Sequence, residues 1–130
     1  MRLLLDTHVA IWAVHKPTRL PNGIRSLFEE IYPFVYVSAA SVWEIAIKHQ
    51  LGRPDAPPFS GHQAIAEFTS AGFQLLSVQP EHAACVERLP LLHGDPFDRL
   101  LLAQAIMENM QLVSYDRIFE RYDVALVTWQ

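Results

Sequence analysis

Apolar and polar positions along this chain change period repeatedly. Residues 2–6 run Arg-Leu-Leu-Leu-Asp, too short an apolar stretch for a helix, and residues 7–16 then carry Val9, Trp12 and Ala13 at helical spacing until Pro17. A strand followed by a helix is predicted. After a turn at Pro21-Asn22-Gly23, the residues Ile24, Leu27, Phe28 and Ile31 recur at intervals of three and four as far as Pro33, which predicts a second amphipathic helix. Residues 34–37 are aromatic and β-branched and read as a strand, and residues 38–41 lead into a helix that runs through Leu51 and is closed by Gly52. Residues 53–60 hold three prolines and form a loop. The same signals predict a helix over 61–71 with Gly72 as its cap, a strand over 73–78 and a helix over 81–89. Pro96 suits the first position of a helix running to about Asn109, and a strand over 112–115, a short helix over 118–122 and a strand over 124–129 complete the chain.

Strand and helix alternating in this way imply an α/β domain whose central, mainly parallel sheet of about five short strands is covered on both faces by helices. No internal repeat, low-complexity tract or interdomain linker interrupts the pattern, so residues 1–130 read as one domain.

Composition narrows the function. No apolar run approaches the roughly 18 residues of a membrane span, and Asp6 interrupts the N-terminal apolar stretch before it can serve as a signal segment. The single cysteine, Cys85, cannot form an intrachain disulfide, which suits a reducing compartment; cytoplasm is the expectation. Fourteen acidic residues against ten basic ones leave a net charge of −4, which argues against a protein that simply coats nucleic acid. If the protein handles a phosphate polymer, positive charge must come from elsewhere.

Four acids, Asp6, Glu44, Asp98 and Asp116, fall at strand-to-helix junctions or in first helical turns. In a parallel sheet those junctions gather at the carboxyl edge, where ligands bind. Each acid also has a local explanation. Asp6 suits the N-cap of the first helix; Glu44, three residues after Ser41, fits a capping box, and Lys48 can pair with it at i+4. Asp95 suits the N-cap before Pro96, which leaves Asp98 the functional role, while strand alternation points Ser114 and Asp116 to the same side. Taken together, four carboxylates in one crevice repel one another unless a cation neutralises them. Oxygen ligands without cysteine or histidine select a hard ion, Mg²⁺ or Mn²⁺, of the kind that assists attack on a phosphodiester.

Here the chain resembles a known family over nearly its whole length. The stretches Leu4-Leu5-Asp6-Thr7-His8, Ser41-Val42-Trp43-Glu44-Ile45-Ala46-Ile47-Lys48 with Leu51-Gly52, Asp95-Pro96-Phe97-Asp98-Arg99-Leu100-Leu101 with Ala103-Gln104-Ala105, and Leu112-Val113-Ser114-Tyr115-Asp116 look like those of a PIN domain, specifically the VapC-type toxin of a type II toxin–antitoxin pair. The resemblance implies that Asp6, Glu44, Asp98 and Asp116 are the acidic quartet that binds Mg²⁺ or Mn²⁺. Ser114, Thr7 and Asp95 would then be supporting positions. It also implies an endoribonuclease acting on single-stranded RNA, a homodimer, and silencing by a cognate antitoxin protein. Trp12, Ile47 and Leu51 are candidates to line a groove for that partner's helix. Lys48, Arg53, Arg99, Arg117 and Arg121 are candidate phosphate contacts, and Trp12 and Trp43 candidate stacking surfaces for bases.

Other chemistries find less support. The six histidines lack a zinc-type pairing, although His8 and His93 lie close in sequence to acids. P-loop, nucleophile-elbow and dinucleotide fingerprints do not occur. A signalling receiver domain is the main rival of another class, but it calls for paired acids after the first strand and a lysine near the last, whereas the lysines here are Lys16 and Lys48. A non-catalytic binding module on the PIN fold is the second alternative.

Overall fold

The computed structural model describes residues 1–129. Five short strands, β1 (Leu3–Leu5), β2 (Val35–Ser38), β3 (Gln74–Leu76), β4 (Gln111–Val113) and β5 (Leu126–Val127), form one sheet in the order β3-β2-β1-β4-β5. Every pairing is parallel. Six helices flank it: α1 (Thr7–His15), α2 (Asn22–Ile31), α3 (Ala39–Leu51), α4 (Gly61–Ser70), α5 (Pro80–Cys85) and α6 (Pro96–Met107). A receiver domain orders its strands 2-1-3-4-5, so this sheet removes that rival.

Strand alternation divides the core. Leu3 and Leu5 of β1 pack with Val35, Val37, Val113, Val9 and Phe68 on one face, while Leu4 packs with Leu112, Leu101, Leu102 and Phe119 on the other. Both faces of the central strand β1 are therefore dry, and it reads as a continuous apolar run. On the first face α4 begins against α3, where a Cβ on Gly61 would lie 2.9 Å from that of Ala46.

Several elements are shorter than their sequence signals, and the strand expected over 112–115 ends at Val113, so Ser114 and Asp116 lie beyond it and strand alternation does not orient them. The strand expected over 73–78 is confined to Gln74–Leu76, and the one expected over 124–129 to Leu126–Val127. The helix expected over 81–89 splits into α5 and a 3₁₀ turn at Val86–Arg88. Leu89 is extended there because Pro90 follows it.

Candidate active site

The strand order reverses between β1 and β4, and the chain leaving each of those strands delivers acids to one crevice. Asp6 follows β1 directly, and its Oδ1 accepts from the Val9 amide at 2.8 Å, capping α1. Its Oδ2 accepts from the Ser114 hydroxyl, one residue beyond β4. Ser114 Oγ in turn accepts from the Asp116 amide at 3.0 Å, and Asp116 caps the 3₁₀ turn Arg117–Arg121 through the Ile118 amide. One serine thus holds two acids from strands that are far apart in sequence. Asp6 is buried, and burial pushes its pKa above the ordinary carboxyl value despite the hydrogen bonds from Ser114 and Val9.

Asp95 caps α6, accepting from the amides of Phe97 at 2.8 Å and Asp98 at 3.3 Å, with Pro96 at the first helical position. This places Asp98 in the first turn, where its Oδ2 lies 2.8 Å from His93 Nε2. Burial raises the Asp98 pKa to about 6, and the charges of Asp95 and Asp6 act in the same direction while His93 opposes them.

Glu44 enters from α3 and is buried. Its Oε1 accepts from Thr7 Oγ1 at 2.7 Å and its Oε2 from Lys48 Nζ at 2.6 Å, and the Thr7 and Ser41 hydroxyls are 2.9 Å apart. Partial burial works against the Lys48 charge, but the hydrogen bond and charge of Glu44, with Asp95 and Asp98, hold its pKa above the usual lysine value. The local capping-box reading of Glu44 does not hold. Ser38, not Ser41, caps α3 through the Ala40 amide, because β2 passes straight into the helix, so Glu44 sits in the second turn.

The tightest donor set differs from the expected one. Among the described residues, ligand atoms of His93, Asp98 and Asp116 lie within 4.8 Å of one another. Asp6 and Glu44, the other two members of the expected quartet, stand outside that set. Val9 and Ser114 engage the two oxygens of Asp6, and Thr7 and Lys48 draw Glu44 toward α1 and α3. His93 reaches the acids because the loop before α6 returns past them; its place five residues ahead of Asp98 was the available signal.

The basic candidates separate. Arg99 is not available to a phosphate: it is buried, and its guanidinium donates to the carbonyls of Val86, Leu89, Pro90 and His93, binding down the loop that carries His93. Arg117 is exposed beside Asp116 and pairs with Glu120 at 3.0 Å. Lys48 stands at the rim with Glu44, and Arg53 lies beyond the end of α3 in a small depression shared with Lys48 and Asp55. Trp43 is half exposed and edge-on to Phe97 at 5.0 Å. Trp12 lines a cavity of about 830 Å³ that opens from Asp6 and Asp116.

The carboxylates of Asp98 and Asp116 with the His93 ring, gathered at an open crevice beside the buried Asp6, form a donor set able to hold a divalent cation. The family model of the PIN domain matches residues 3–125. The chain belongs to the PIN domain family. This PIN domain is 34% identical over 118 residues to Ribonuclease VapC22 of Mycobacterium tuberculosis (strain ATCC 25618 / H37Rv), a match covering 88% of this chain and 87% of that protein. Its fold is shared with the crystal structure of VapBC2 from Rickettsia felis bound to a DNA fragment from their promoter, at a TM-score of 0.73, 18% identity and 100% coverage of both chains. The DNA-bound VapBC of Salmonella typhimurium gives a TM-score of 0.72 at 17% identity, covering 100% of this chain and 99% of that one. No helix among the described residues is long and apolar enough to cross a membrane.

Proposed function

We propose that this PIN domain is a Mg²⁺- or Mn²⁺-dependent endoribonuclease that cleaves single-stranded regions of RNA, the toxin of a cytoplasmic toxin–antitoxin pair. The observation that carries the reading is the convergence of Asp6, Glu44, Asp98 and Asp116 on the carboxyl edge of the sheet, where burial already works against the charges of Asp6 and Asp98. Similarity to a ribonuclease supports RNA as substrate, and the VapBC neighbours support an antitoxin partner.

Asp98, Asp116 and Asp6 would hold the cation, with Glu44 completing the site from α3. When bound, the cation polarises phosphoryl oxygens and lowers the pKa of water. The remaining work falls to the chain itself. Ser114 fixes Asp6 and Asp116 relative to each other, Thr7 fixes one oxygen of Glu44, and His93 fixes one of Asp98. Asp95 supports Asp98 by capping α6. Lys48 and Arg117 stand at the rim as phosphate contacts, and Arg53 is a more distant one. No side chain is required as a covalent nucleophile. A homodimer and an antitoxin helix seated near Trp12, Ile47 and Leu51 belong to the same reading.

Purified protein incubated with cellular RNA in Mg²⁺, Mn²⁺ or EDTA tests it directly. Cleavage is expected with either metal and not in EDTA, and Asp6→Asn and Asp98→Asn are expected to abolish it. Cleavage that survives EDTA or either substitution would overturn the site assignment, and a folded protein inert toward all RNA would favour a non-catalytic binding module.

A further inference from the structure

The cavity that opens from Asp6 and Asp116 has a composition the acid chemistry does not require. Trp12 of α1, Tyr115 after β4 and Trp129 after β5 form a continuous aromatic wall: ring centroids are 6.3 Å apart for Trp12 and Tyr115 and 5.7 Å for Tyr115 and Trp129. Trp12 and Trp129 are backed by the core, whereas Tyr115 is 52% exposed and has no packing duty to match its area. Two guanidinium groups complete the enclosure. Arg19 lies over the Trp12 ring, 4.8 Å from its centroid, and Arg117 flanks Asp116.

Aromatic faces, guanidinium groups and a carboxylate-lined end together match one molecule class. A nucleotide offers a flat base to the rings and a phosphate to the guanidinium groups, and a volume of about 830 Å³ is ample for one. A cationic peptide side chain is the competing occupant, since aromatic faces and acids also attract it. Arg19 and Arg117 repel it, which favours the nucleotide.

We propose that this cavity is a nucleobase subsite, taking one unpaired base of the RNA beside the phosphate that meets Asp6 and Asp116. The proposal rests on the nuclease reading and sharpens it. A base must leave its stack to lie against Tyr115, so the subsite itself selects single-stranded nucleotides. Because stacking accepts every base, the wall imposes an unpaired state more strongly than a particular letter.

The test measures binding of a short fluorescein-labelled single-stranded RNA by anisotropy, in EDTA so that the probe stays intact. It is run beside a series in which each nucleotide in turn is abasic. The variants are Tyr115→Ala, whose exposed ring can be removed without disturbing the core, Tyr115→Phe, and Trp12→Leu, each checked for fold by circular dichroism. One abasic position is expected to weaken wild-type binding roughly tenfold, the size of a single base–aromatic stack. Tyr115→Ala is expected to weaken the intact RNA by about the same factor and to be indifferent to that abasic position, while Tyr115→Phe behaves as wild type. If no abasic position matters to the wild type, or if the two losses multiply, the subsite is overturned. If Tyr115→Ala weakens an antitoxin complex and leaves RNA binding intact, the cavity serves the protein partner and the proposal is overturned. Wild-type cleavage with no abasic effect sinks the subsite alone, and base-dependent binding without cleavage sinks the nuclease reading alone. Absence of RNA binding in EDTA and Mg²⁺ alike sinks both.

Discussion

Asp98 ionises at about 6 because burial and the charges of Asp95 and Asp6 oppose its charge, whereas an ordinary aspartate ionises at 3.8. Between those values the native protein binds more protons than the unfolded chain, so this group makes metal-free stability fall as pH rises through that window. Thermal melts in EDTA are expected to show the decline from about pH 4 to about pH 6, and Asp98→Asn to remove its share of it. Adding Mg²⁺ at neutral pH should raise the melting temperature of the wild type, since a ligand that binds only the native state stabilises it, and do so less for the variant. Ser114 makes a different prediction. Its hydroxyl holds Asp6 and positions the Asp116 amide, so Ser114→Ala is expected to cut RNA cleavage roughly 10- to 100-fold, the usual cost of losing a group that orients metal ligands. Steady-state kinetics at saturating Mg²⁺ and at limiting Mg²⁺ would show whether the loss follows metal affinity.

Elements set where those residues stand. The segment from Val86 to His93 runs without regular hydrogen bonding except its 3₁₀ turn, and Arg99 on α6 supplies donors to four of its carbonyls. Arg99→Met is expected to cost about 2–4 kcal/mol in urea unfolding, because four partly or fully buried hydrogen bonds from a charged donor are lost. The same variant should leave the salt dependence of RNA binding unchanged, whereas Arg117→Ala should lower its slope by about one unit. The two arginines looked equivalent in sequence; their burial separates them. At the contact of α3 with α4, Gly61→Val forces side-chain atoms into Ala46, and a loss of about 1–3 kcal/mol is expected in the same assay.

At the scale of the whole molecule, the strand order β3-β2-β1-β4-β5 places the ends of β1 and β4 side by side at the reversal. That topology converts acids 110 positions apart, Asp6 and Asp116, into neighbours of one serine. Light scattering of the purified protein is expected to report a dimer, and a monomer at all usable concentrations would count against that part of the proposal. The charge of the chain also makes sense at this scale. Setting aside the proposed ligands Asp6, Glu44, Asp98 and Asp116 leaves 14 − 4 = 10 acids against 10 bases, so the net −4 equals in number the carboxylates of the proposed metal site.

Much was legible in the chain because much of it is local. Helical spacing in Ile24, Leu27, Phe28 and Ile31, the apolar run Leu3-Leu4-Leu5, Asp95 ahead of Pro96 and the Gly52 cap each depend on residues within a few positions, and all appear in the fold. Acids at the junctions and the motifs around them were equally visible. Tertiary structure decided what meets what. It put His93 on Asp98, drew Glu44 to Thr7, buried Arg99 beneath its own loop, and set Trp12, Tyr115 and Trp129 along one cavity. None of these follows from periodicity, since each depends on loop paths and strand order, and a side chain's partners across such distances are set by the packing of the whole sheet.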